Sequence, residues 1–146
     1  MNKNETLQQL RQARTGHLRW QAHAQSILSA PNHLDNISEK APMNHTDCQF
    51  GQWYFGQMEA LKHIPGYQQI DPLHERLHQL YREIFDIMLE KKSGTFNWLF
   101  GSDARHRQRC IDKARPVMDQ LSATSKELLA AIDELQKTIE QMPEPA

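Results

Sequence analysis

His74 and His78 lie one helical turn apart on an apolar stripe made by Leu77, Tyr81, Ile84, Phe85, Met88 and Leu89. Side chains at i and i+4 leave the same face of a helix, so both imidazoles turn inward with the aliphatic residues. A buried ring nitrogen without a partner costs on the order of 1–3 kcal/mol. A metal ion shared by the two rings removes that cost. Cys48 adds a soft sulfur upstream, which brings the set to three quarters of a tetrahedral zinc site, and His17, in His17-Leu18-Arg19-Trp20, is a candidate for the fourth ligand. Each residue alone is weak evidence. With eight histidines in the chain one i,i+4 pair is unremarkable, and a lone cysteine is commonly a small buried hydrophobe.

The rest of the chain repeats the helical spacing and shows little of the period-2 alternation that marks strands. The expected fold is all-α, a bundle of four main helices with the zinc site in its core. The first helix is expected from an N-cap at Asn4, with Leu7, Leu10, His17, Trp20, Ala24, Ile27 and Leu28 on one side, and it ends at Pro31. A second, shorter helix is expected to start between Asn44 and Asp47, to carry Cys48, Trp53 and Phe55, and to stop at Pro65-Gly66. The third opens at Asp71-Pro72 or a turn earlier, near Tyr67. The last runs from about Asp103 to Gln141 on Cys110, Ala114, Val117, Leu121, Leu128, Ile132, Leu135 and Ile139, with Pro116 expected to kink or break it at Arg115. Between glycines 94 and 101 lies an aromatic loop, Phe96-Asn97-Trp98-Leu99-Phe100.

The 146 residues suit one domain, here taken as 1–146, with the motifs in about 17–89 and the long C-terminal helix in about 103–141. A net charge of −1 with interspersed signs offers no basic stripe, which argues against nucleic acid. No leader or membrane-crossing apolar run is present, so a cytoplasmic protein is expected. Two cysteines, Cys48 and Cys110, cannot build a disulfide framework and suit a reducing compartment.

His74-Glu75-Arg76-Leu77-His78 also matches the protease pattern H-E-x-x-H, whose Glu activates a metal-bound water. No longer metzincin form and no strand to hold a peptide accompany it, so Glu75 reads as solvent-facing and the chain as no enzyme. A zinc buffer or store is a further reading. A di-iron site of the hemerythrin type is disfavoured, because the inner stripes lack carboxylates. His45, three before Cys48, and the i,i+4 pair His106 and Cys110 are local chelators that compete for the metal. His23, His33 and His63 read as surface or loop residues, and Trp20 and Trp53 as a packing wall around the site.

Taken together, His17-x-x-Trp20, Cys48-x-Phe50-Gly51-x-Trp53-Tyr54 and His74-x-x-x-His78 resemble the chemoreceptor zinc-binding domain family in order and interval. The Cys-x-Phe-Gly-x-Trp-Tyr string is the specific part. The resemblance implies a helical bundle, a symmetric dimer, and one Zn2+ per subunit held by His17, Cys48, His74 and His78. It further implies a sensory or regulatory role, in which zinc or an oxidant such as hypochlorous acid acts at the zinc-bound Cys48. Such domains sit on bacterial chemoreceptors or diguanylate cyclases. This chain shows neither a receptor coiled coil nor a cyclase domain, and so reads as a stand-alone domain that signals to a protein partner such as a chemoreceptor, a diguanylate cyclase or another signalling protein. Phe96, Trp98, Leu99 and Phe100 are the candidate partner surface.

Overall fold

The computed structural model describes residues 2–29, 44–88 and 103–143. Within them every element is helical: α1 (Lys3–Ser29), α2 (Gln49–Gly56), α3 (Met58–Leu61), α4 (Ile70–Met88) and α5 (Asp103–Glu140). The loop holding Phe96, Trp98, Leu99 and Phe100, together with Pro31, His33 and Leu89, lies outside the described residues.

α5 is the spine. From Ala114 a buried seam runs 114, 118, 121, 125, 128, 132, 135 and 139, alternating steps of four and three, with Val117 buried beside it. That heptad-like seam lets two helices pack on one long stripe. α4 and α1 both run antiparallel to α5. Arg76 donates to Gln120 Oε1 (2.8 Å) on one side, while Arg14 meets Asp133 (3.2 Å) on the other. α1 and α4 touch each other far less than either touches α5. The one polar residue in the α5 seam, Ser125, is fully buried and donates to Gln21 Oε1 of α1 (2.9 Å), so its burial leaves no hydroxyl unpaired. Lys3 Nζ donates to the carbonyls of Glu140 (2.8 Å) and Met142 (2.9 Å), capping the C-terminal end of α5 with a cation.

Several boundaries differ from expectation. Asn2, not Asn4, caps α1: its Oδ1 accepts from the Glu5 N–H (2.8 Å) and Glu5 Oε2 accepts from the Asn2 N–H (3.2 Å), a reciprocal capping box. Pro116 neither ends nor breaks α5, which stays helical through it, and the proline itself is exposed. α4 starts at Ile70, between the two expected starts. The expected second helix is split. Residues 44–48 form a turn closed by bonds from the Asp47 and Cys48 N–H groups to Asn44 O (2.9 and 3.3 Å), and Cys48 is the N-cap of α2 rather than a residue of its first turn. α2 ends at Gly56, α3 adds a single turn, and the chain reverses at Pro65-Gly66. There Gly66 has φ +90° and Tyr67 N–H bonds Ile64 O (3.1 Å), a type II turn that needs glycine at its third position.

Within the 44–69 segment a pair of tyrosines ties α2 to the stretch just before α4. The rings of Tyr54 and Tyr67 stack at 4.3 Å, 7° from parallel. Tyr54 Oη donates to Tyr67 O (2.8 Å) and Tyr67 Oη donates to Tyr54 O in return. Both rings are buried, so the reciprocal bonds are what make the two hydroxyls tolerable in the core.

Candidate metal centre

α1 and α4 run side by side in the same direction, which brings the middle of α1 opposite the first turns of α4. His17, His74 and His78 meet there, all buried, with a ligand atom from each lying within 4.8 Å of the other two. The 44–48 turn delivers Cys48 to the same place: its Sγ is 3.4 Å from His74 Nε2. His74 Nε2 is in turn 3.1 Å from His78 Nε2. The structure therefore brings together all four residues singled out from the sequence into a His/His/His/Cys group able to bind a metal.

Two of these separations fit the edges of a tetrahedral site. With Zn–N near about 2.05 Å and Zn–S near about 2.3 Å, tetrahedral edges are about 3.3 Å between nitrogens and about 3.6 Å between nitrogen and sulfur. The observed 3.1 and 3.4 Å separations lie within a few tenths of an ångström of these. The tautomer fits as well. His17 Nδ1 donates to Ala13 O (2.7 Å), which leaves the Nε2 lone pair for the cluster.

Electrostatics hold the rings in metal-ready form. Burial, with His78 opposing a second charge, lowers the His17 pKa to about 4. Burial again, then His17, His78 and His45, lowers that of His74 to about 2. Both are neutral at pH 7, as coordination requires. Cys48 sits at the N-terminus of α2, where the N–H groups of Gly51 and Phe50 favour the thiolate. Burial is the larger effect and raises the thiol above its ordinary value. A cation in the cluster would reverse that balance.

The walls are only partly those expected. Phe50 presents its ring to His17 (5.7 Å) and His74 (5.1 Å), and Trp53 stacks behind it at 5.7 Å. Trp20 is 37% exposed and stands on the rim of a cleft of about 340 Å³ that reaches His17, Cys48 and His78. His23, expected at the surface, is half-buried beside Phe85 (6.4 Å), and its Nε2 is buried with no hydrogen-bond partner. His63 is exposed, as expected. Glu75 is exposed too, whereas the Glu of a zinc protease must face the metal. His106 and Cys110 form their own contact (3.7 Å) near the start of α5. His45 lies close to the cluster, its ring 5.7 Å from that of His74.

One residue of the site escaped sequence reasoning although it stands in the motif. A Cβ built on Gly51 would come within 1.8 Å of His45 O. The glycine is what allows α2 to pass against the 44–48 turn, and so what seats Cys48. The signal was present as the Gly of Cys-x-Phe-Gly, but its meaning depends on a contact the sequence does not show.

The searches of curated proteins and of solved structures each gave no match. A family model, the chemoreceptor zinc-binding domain, matches residues 17–85, opening on His17 and spanning Cys48, His74 and His78. On this match and this cluster, residues 17–85 belong to the chemoreceptor zinc-binding domain family.

Proposed function

We propose that His17, Cys48, His74 and His78 hold one zinc ion, and that the chain is a sensory module whose state is set at Cys48. The observation that carries the reading is the convergence of three buried imidazoles, with the Cys48 thiol 3.4 Å from His74 and His78 3.1 Å from it. Zinc, when bound, keeps the cysteine as thiolate at neutral pH, and the thiolate is the oxidisable form.

Cys48 has two tasks in the fold. Its sulfur belongs to the cluster, and it also accepts the Gly51 N–H (3.3 Å) as the N-cap of α2. Attack by hypochlorous acid converts thiolate and HOCl to sulfenic acid and chloride, moving one oxygen to sulfur. The oxidised sulfur is a poorer ligand, and the 44–56 segment loses part of its hold on α1 and α4. The cleft beside Trp20 gives a small oxidant its path to Cys48. Release of this segment is the signal, passed to a second copy in a homodimer or to a protein partner such as a chemoreceptor or a diguanylate cyclase.

The test is metal analysis and chelator competition on the purified protein beside Cys48→Ala and His78→Ala. One zinc per chain in the wild type and weaker binding in both variants are expected. Wild-type affinity in either variant would remove that residue from the ligand set. Low hypochlorous acid should modify Cys48 before Cys110, with a change in helical content. If Cys110 reacts first, sensing is of zinc and not of oxidant.

A further inference from the structure

The 44–48 turn that carries the sulfur carries a second metal-capable group. His45 is three residues before Cys48, and the Cys48 thiol donates to its carbonyl (3.5 Å), so the two side chains move as parts of one turn. Asn44, which closes the turn, accepts from Arg82 of α4. The His45 side chain is mostly buried, at 17% exposure, and its ring lies edge-on to His74 at 5.7 Å, close to the 5.0 and 4.7 Å that separate His74 from His17 and His78. Its Nε2 faces Asp71 Oδ1 at 3.2 Å. That oxygen is buried yet has no hydrogen bond of good geometry. The imidazole and the carboxylate are in proximity without a well-formed hydrogen bond between them.

We propose that His45 is a reserve ligand, which takes the coordination position of Cys48 when the sulfur is lost. This rests on the zinc reading above. A neutral imidazole supplies a lone pair in place of the thiolate, and the N–H at its other nitrogen goes to Asp71, the carboxylate that metal-bound histidines commonly find behind them. Imidazole also survives conditions that oxidise a thiolate. Loss of the sulfur then changes the ligand set from three His and one Cys to four His. The ion stays, and the turn is re-seated about His45, three residues away.

The experiment replaces zinc by Co2+, whose absorption reports both tetrahedral geometry and sulfur ligation, and measures zinc affinity by chelator competition. It uses the wild type, Cys48→Ala, His45→Gln, and Cys48→Ala/His45→Gln. Cys48→Ala is expected to lose the thiolate charge-transfer band but keep the tetrahedral bands. The double variant should lose the tetrahedral bands and bind zinc at least ten-fold more weakly than Cys48→Ala. His45→Gln alone should stay within two-fold of the wild type. Equal affinities for Cys48→Ala and the double variant would overturn the proposal. So would an equal loss from His45→Gln in both backgrounds, which marks a constitutive or structural role. Circular dichroism of each metal-free variant separates loss of fold from loss of ligand, and His45→Asn serves where His45→Gln does not fold. Failure of the wild type to take up one thiolate-ligated Co2+ would overturn the underlying zinc reading instead.

Discussion

At Gly51 a single hydrogen atom separates a fitted turn from a broken one. Gly51→Ala would place a methyl 1.8 Å from His45 O, and backbone cannot yield as a side chain end can. Overpacking of this kind costs about 1–3 kcal/mol, and here it also displaces Cys48. The expected outcome is a lower melting temperature together with weaker zinc binding, measured by calorimetry and chelator competition. Cys48 divides in the same way. Cys48→Ser keeps a cap acceptor and loses the sulfur, whereas Cys48→Ala loses both. Urea denaturation of the metal-free proteins should place Cys48→Ala below Cys48→Ser by about 1 kcal/mol, the usual worth of an N-cap, while both bind zinc less tightly than the wild type. His17, His74 and His78 were legible in the sequence because an inward imidazole on an apolar stripe is visible from periodicity alone. Gly51, Phe50 and the pairing of Tyr54 with Tyr67 were not. Their roles come from contacts between segments that spacing along one helix does not encode.

Among the elements, α4 was the most readable, since its strongly one-sided pattern fixes which residues face α5. α2 was the least. Its eight residues are too few to show a period, and its start depends on the 44–48 turn rather than on a capping oxygen. Because His17 belongs to α1, Cys48 to the cap of α2, and His74 and His78 to α4, an ion held by all four joins three elements at one point. A ligand that binds only the folded state adds about 2.7 kcal/mol when present at 100 times its Kd. Chelation should therefore lower the melting temperature by several degrees, and a melting curve unchanged after verified zinc removal would contradict the four-ligand site. Glu75→Gln provides the control on α4. The side chain is exposed, so zinc content and stability should stay at wild-type values, and peptide hydrolysis that this substitution abolished would mark a protease.

For the whole molecule, the buried imidazoles set an acid limit. Unfolded histidine takes up its proton near pH 6.5, while folded His17 and His74 wait until about 4 and about 2. Between those values the unfolded chain binds more protons, so acidification favours it. The urea midpoint of the metal-free protein should be flat between about pH 7 and pH 8 and fall steadily from about pH 6.5 toward pH 4. A midpoint constant across that range would mean that these rings are not neutral and buried. Among the described residues no helix is long and apolar enough to cross a membrane.

The bond between Ser125 and Gln21 has a mechanical consequence. Together with Lys3 at one end and Arg14 between them, it pins α1 to α5 at three heights along the pair. Sliding α1 by one turn would take Gln21 away from the buried Ser125 hydroxyl, a cost that resists a piston stroke of α1 along α5. Among the described residues the two long helices are thus held in register, and Cys48 sits outside both, on the short 44–69 segment whose halves the stacked tyrosines tie together.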